Sequence, residues 1–475
     1  MVLNKASSIV LPVTAVAMVL AFGGVISSAI VAMELAVAIV ALIQFWQDGY
    51  SRLSKAASLV LCVLIVIPLL QSIPLSANLI RHLSLARVRN LGDVDLHATR
   101  AAALRLACYM LVFVMAFQNY RQHRGTAVLV WTLVVIGVFE ALYGTVQYLT
   151  GWQYIFTYVK QYSTEEASGT YINRNHFAGL LEMVLPFVLA RILIPRRSLE
   201  KMRLSDFRRT VASPLGSTLL RDTLFLGMII VGLVLSRSRM GMAAGFVGVL
   251  VVAAISYFRN RHRSAILIAF VVIGIPLAYS AWIGIGPVVE RFNALRHGGF
   301  SDEVRIPIWR DSIEIIREYP LLGTGLGTYR WASLHYQTSG LRLIYEHAHN
   351  DYLEFASEIG LPATLFFFGS LWILAAKLMI AGASSRSVDA VVAAGCAGAL
   401  SSLLIHSAVD FNFQIPANAF VFAWISGTAA GIISRGIGGS SSDRRRMFLE
   451  DAQLTMIDEG CPRQAIGVSV KSASS

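Results

Sequence analysis

The chain has 475 residues, of which 56% are hydrophobic and only 14% charged, with 40 lysines plus arginines against 28 acids for a formal net charge of +12. Soluble domains run to roughly 45–50% apolar and about 25% charged, so an ordinary globular protein is excluded. No Lys/Arg block is interleaved with aromatics, which argues against a nucleic-acid partner, and the four cysteines (Cys62, Cys108, Cys396, Cys461) form neither a disulfide framework nor a zinc spacing.

In chain order, apolar segments of about 20 residues predict membrane helices. They fall near 9–27, 29–46, 56–73, 101–118, 126–149, 176–195, 221–238, 241–258, 265–286, 361–381, 388–409 and 416–435. The predicted fold is all-α and polytopic, with about twelve spans, or eleven if the first two form one hairpin broken at Gly23-Gly24. The N-terminus carries only Lys5 ahead of its apolar run, so a retained first helix is expected rather than a cleaved signal peptide. Lys and Arg collect on alternate connectors, and the segment 195–220 is the most basic of these. The positive-inside rule then places both termini in the cytoplasm.

Three connectors on the opposite, outer side break that rule. Arg237 and Arg239 share the short turn Ser236–Gly241, the segment 74–100 holds Arg81, Arg87, Arg89 and Arg100, and the connector 287–360 has seven arginines and no lysine. Arginine kept where topology disfavours it suggests forked recognition of phosphate or carboxylate; salt bridging to the ten acids of the same 287–360 loop is the competing reading.

At 74 residues that loop is too long to be structureless. Ile306–Tyr319 reads helical and stops at Pro320. The glycine-rich run 321–329 lacks a Walker ending and reads as a tight turn where backbone approaches another element. Tyr345–Gly360 is dense in chemically capable side chains. Asp351-x-x-Glu354 predicts a capping box, with His349 just ahead of the helix, where the dipole favours a neutral imidazole suited to general-base work. His347-x-His349 is open to metal binding as the alternative, although two imidazoles make an incomplete site.

Elsewhere, Asn173, Arg174, Asn175 and His176 stand where the sixth span begins, with Glu182 about two turns inside. Such groups are costly to bury unpaired and suit a hydroxyl-rich ligand, and Asn173 or Asn175 is also a plausible helix cap. His406 and Asp410 are a turn apart near the end of the eleventh span and could line the same outer cavity. Asp93-Val94-Asp95 is a D-x-D, a pattern compatible with a divalent cation.

Gly169–Glu182, Ser236–Gly241, Arg305-x-x-x-Trp309 through Pro320 with its glycine-rich continuation, His349-Asn350-x-x-Leu353 and Asp410–Ala419, in that order, resemble the bacterial O-antigen ligase and Wzy-type polysaccharide polymerase superfamily. The resemblance covers about Gly169–Ala419. It implies a GT-C-like membrane glycosyltransferase of the bacterial inner membrane whose site faces the periplasm. The implied donor is undecaprenyl-diphosphate-linked oligosaccharide, and the acceptor is either another glycan repeat or lipid A-core. It implies an inverting transfer with no cofactor or metal. His349 takes the role of the base because Asn350 completes the family's His-Asn pair, with His347 as the competing imidazole. Arg239 and Arg305 bind diphosphate, helped by Arg237, and Asn173, Asn175, His176, His347, Asn350 and Asp410 line the site. Expected partners are these substrates, membrane lipid and other polysaccharide-assembly proteins. Polymerisation is favoured over ligation because no outer loop announces a site for a phosphorylated core; a lipid-linked oligosaccharide flippase is the alternative from another class. The chain divides into N-terminal helices (1–168), a core (169–436) containing the loop 287–360, and a tail (437–475) expected to be mobile and cytoplasmic.

Overall fold

The computed structural model describes residues 6–48, 53–71, 96–122, 126–194, 214–260, 305–337, 344–384 and 389–438. Its helices are α1 (Ala6–Leu20), α2 (Ser27–Asp48), α3 (Lys55–Gln71), α4 (Leu96–Arg121), α5 (Thr126–Thr150), α6 (Arg174–Leu193), α7 (Pro214–Leu235), α8 (Arg239–Asn260), α9 (Arg305–Glu318), α10 (Tyr329–Ser333), α11 (Asp351–Ile359), α12 (Leu361–Ser384), α13 (Asp389–His406) and α14 (Pro416–Gly438). Among the described residues the sole sheet is a small antiparallel ribbon pairing β1 (Tyr154–Ile155) with β2 (Tyr158–Val159). A helix satisfies its own backbone in a bilayer, and eight of these are long and apolar enough to cross one, with shorter apolar helices at Ile9–Leu20, Lys55–Gln71 and Ala390–His406. Eleven predicted spans fall on these helices. The predicted span 265–286, Asp93, Asp95, Arg291, Arg296, Arg342 and the tail beyond Gly438 lie outside the described residues. The break at Gly23-Gly24 is a short 3-10 turn, Phe22–Gly24, that folds α1 back on α2.

The post of the bundle is α6, buried along nearly its whole length and packed against α5, α7, α8, α13 and α14. Without a hydrophobic drive between helices in lipid, close packing needs small residues. They are present where Gly248 of α8 and Gly398 of α13 both lie against Pro186 of α6, so that an added Cβ would meet the proline ring at 2.9 and 2.5 Å.

One end of the bundle gathers the start of α6, the α7–α8 turn, the loop helices α9 to α11 and the α13–α14 connection. Ala167 N–H donates to Leu235 O at the end of α7, Tyr171 Oη donates to Asn418 of α14, and Asp351 N–H reaches Ser407 O at 2.8 Å. The glycine-rich turn is pinned here as expected. An added Cβ at Gly323 would lie 2.3 Å from Glu358 C and one at Gly360 would lie 2.1 Å from Leu321 O, so this backbone contact tolerates only glycine at both places. Gln71 at the end of α3 donates to Leu322 O and Glu358 O, tying the loop to the bundle.

Candidate active site

Asp410, only 1% exposed, is the hub of this end. Its Oδ2 accepts from Asn175 Nδ2 at 2.7 Å and lies 3.7 Å from an Arg305 nitrogen. Its Oδ1 accepts from Phe411 N at 2.9 Å and lies 3.8 Å from His176 Nε2 and 3.7 Å from His349 Nδ1. Burial alone would raise this carboxyl, but His176 and His349 beside it hold it well below the usual carboxylate range. At 3.7 Å the His349 contact is an ion-pair distance rather than a formed hydrogen bond, and such contacts commonly shorten when substrate binds.

His349 occupies the left-handed region, φ 49°, and its side chain is one third exposed (34%). Two devices hold it. Trp309 Nε1 donates to Ala348 O at 3.1 Å, and Arg305, four residues earlier on α9, projects from the same face toward Asp410. This is the physical content of the Arg305-x-x-x-Trp309 spacing. Asn350 then caps α11 by accepting Leu353 N–H at 3.1 Å.

The predicted capping box does not form. Asn350 is the cap, Asp351 is fully buried and accepts Phe413 N–H, and Glu354 turns to His347 Nδ1 (2.8 Å) and Ala348 N–H (2.8 Å). Buried backbone donors in the preceding loop compete for Glu354 more strongly than the free first turn does. Burial works to lower the His347 pKa, but the Glu354 carboxylate prevails and the net shift is upward. The two imidazoles thus have separate carboxylates, Glu354 for His347 and Asp410 for His349. Phe411 lies between: His347 stacks on its ring at 4.3 Å, while His349 and His176 meet it edge-on at 4.8 and 4.6 Å.

Asn173 caps α6 by accepting Asn175 N–H, and Arg174 is bridged to Glu166. Arg237, also at positive φ (53°), reaches Tyr148 of α5 and lies over its ring. Arg239 is exposed at the first turn of α8. Gly241, two residues on, lies against Ala178 of α6, which places Arg239 at the same end. Among the loop arginines, Arg317 and Arg330 follow the salt-bridge reading, with Glu314 and Glu346.

Sequence reasoning passed over Glu140, which is fully buried in α5 and accepts Thr170 N–H at 2.8 Å. It supports the turn that leads into α6, and an added Cβ at Gly169 would strike its carboxylate. A lone acid amid an apolar span was the signal that could have found it. Phe411 and Gln71 gave no such signal.

Below Asp410, His406 Nδ1 and Glu182 Oε2 pair at 2.9 Å with both side chains wholly buried. Breaking such a pair leaves an uncompensated buried charge and costs about 3–5 kcal/mol, whereas apolar replacement of both partners is often neutral. Glu182→Leu alone is therefore expected to lower the melting temperature in detergent sharply, and Glu182→Leu with His406→Leu to recover much of the loss. Equal melting of the single and double variants would disprove the pairing energetics.

Residues 224–368 match the family described as O-antigen ligase. That segment is a domain of the O-antigen ligase family. It contains Arg237, Arg239, Arg305, His347, His349 and Asn350, while Asn173, Asn175, His176 and Asp410 lie outside the matched residues. No curated protein matches the chain. The matched segment, together with several membrane-length helices, supports a multi-pass membrane protein carrying an O-antigen ligase/polymerase-type domain.

Proposed function

We propose that the chain transfers an undecaprenyl-diphosphate-linked oligosaccharide onto a sugar hydroxyl at the periplasmic face of the inner membrane, extending a surface polysaccharide. The observation that carries this reading is the convergence of His349, Arg305, Asn175 and His176 on one buried carboxylate, Asp410, at the helix-terminal end of the bundle. In this mechanism Asp410 orients His349 through Nδ1, leaving Nε2 to take the proton of the acceptor hydroxyl. The hydroxyl oxygen forms a bond to the anomeric carbon as the bond from that carbon to the phosphate oxygen breaks. The electron pair departs on the diphosphate, which Arg305 and Arg239 stabilise, aided by the N-terminus of α8, a 22-residue helix. A single displacement inverts the anomeric centre, and the roles are filled without a metal. His347, already bonded to Glu354 and favoured as a cation, is poorly suited to be the base.

Purified protein in nanodiscs, given labelled lipid-linked oligosaccharide with or without lipid A-core, tests the reading. Elongated lipid-linked glycan without core is the expected product, and added chelator should not slow its formation. Glycan on core would instead establish ligation, the second reading, which the description of the matched family favours. Translocation without transfer would replace both with a flippase. Arg239→Glu is expected to weaken donor binding by about tenfold or more, a loss of at least ~1.4 kcal/mol; an unchanged donor Kd would remove Arg239 from the diphosphate site.

A further inference from the structure

The site end contains a second opening. A cavity of about 770 Å³ lies between α3, α4, α12 and α14, with its mouth at the exposed Arg330 and Glu346 and the half-buried His347, and with buried Glu354 and Glu358 also in its lining. Along α14 its lining runs from Ala419 to Ser434, roughly 24 Å at 1.5 Å per residue, most of a hydrocarbon core. The walls are predominantly aliphatic and aromatic, including Leu61, Leu106, Phe366 and Leu374.

Bilayer contact explains an apolar wall but not the polar atoms set into it. Among the described residues, Arg105 Nε, Glu358 Oε2 and Ser426 Oγ are buried without a hydrogen-bond partner, and all three residues line the cavity. Glu358 is 1% exposed. Burial, reinforced by neighbouring Glu354, pushes its pKa up to about 8, so near neutral pH the carboxyl keeps a proton to donate. His347 is favoured as a cation and Arg330 is held by an exposed bridge to Glu346 at 3.1 Å, which an incoming phosphate can exchange. The mouth therefore offers donors to an anionic head group above a long apolar channel.

We propose that this cavity holds the isoprenoid chain of the lipid-linked acceptor, with its phosphate head at Arg330, His347 and Glu358. The assignment rests on the transfer reading given above and specifies its acceptor. The volume lies within the range of single-ligand pockets, roughly 300–1,000 Å³, and takes part of one isoprenoid chain. The position fits as well. Phe411 contacts His347 at the mouth and His349 beside Asp410, so one aromatic ring separates the acceptor's anchor from the proposed base. A short repeat unit extending from the mouth can place its terminal sugar there while the donor diphosphate lies with Arg239 and Arg305.

Undecaprenyl phosphate carrying a chain diazirine, photolysed with the full-length protein in nanodiscs, tests the site without requiring turnover. The expected result is labelling of α3 and α12 within the cavity, protected by unlabelled undecaprenyl diphosphate but not by phosphatidylglycerol or lipid A. Ser370→Phe and, from the opposite wall, Ala430→Phe should abolish that labelling. They should also raise the KM for lipid-linked acceptor by about tenfold or more, with donor KM and melting temperature preserved. Labelling confined to other surfaces, equal protection by phosphatidylglycerol, or an unchanged acceptor KM in both folded variants would overturn the proposal. Protected labelling in a protein that transfers glycan to no acceptor would support the cavity and reject the glycosyltransferase reading. Transfer without cavity labelling would reject the cavity alone.

Discussion

Replacing His349 with alanine is expected to reduce glycan transfer by a factor on the order of 10²–10⁴, the usual contribution of a positioned general base, while leaving the fold intact. The side chain is partly exposed, and Nδ1 has no hydrogen-bond partner among the described residues, so its removal costs little packing. The backbone at φ 49° is better tolerated by Asn than by most residues, which makes His349→Asn the control for loop geometry. That variant should be as inactive as His349→Ala. His347→Ala should behave differently, because it strips Glu354 of a 2.8 Å partner in a buried setting and removes the ring stacked on Phe411. Its expected signature is a lowered melting temperature with a smaller loss of rate in the surviving folded fraction. Full transfer by His349→Ala, or inactivity of well-folded His347→Ala alone, would exchange the roles of the two imidazoles.

The sequence made the spans readable because a helix in lipid must satisfy its own backbone and present apolar side chains along its length. Local pattern likewise exposed the loop helix ending at Pro320, now Arg305–Glu318, and the glycine turn, whose backbone presses on Glu358. What local pattern could not convey was competition between distant partners. Asn175 was legible as a helix cap, yet its amide goes to Asp410, 235 residues away, while Asn173 takes the cap. Glu354 was assigned to the first turn of α11 for the same reason, and the structure gives it to His347 and Ala348. Asp410 reads from the sequence as one of six site-lining residues, with nothing local to rank it as the hub. Its importance comes from α6, α9, the His349 loop and the α13–α14 connection meeting at one point, which is a property of packing that no single segment carries.

That meeting point sets the second large expected effect. Asp410→Asn keeps the size of the side chain and can still accept from Asn175, but it removes the charge that faces Arg305, His176 and His349. Transfer should fall by roughly 10²–10⁴, the scale set by losing the carboxylate that orients a catalytic imidazole. Donor affinity should hold or improve, because Arg305 loses its competing carboxylate and becomes freer for diphosphate. A structural role alone would weaken donor binding and rate together, so the divergence of donor Kd from rate identifies a positioning residue. The pH dependence supplies a separate readout. With its folded pKa below the unfolded value of about 3.9, Asp410 adds stability that is fully present above that value and is lost as pH falls through the lowered folded pKa. The stability gap between wild type and Asp410→Asn should therefore close as pH falls below about 4. A gap that instead widened below pH 4 would mean that the carboxylate is not held ionised by its neighbours, and Asp410 would lose its place beside His349.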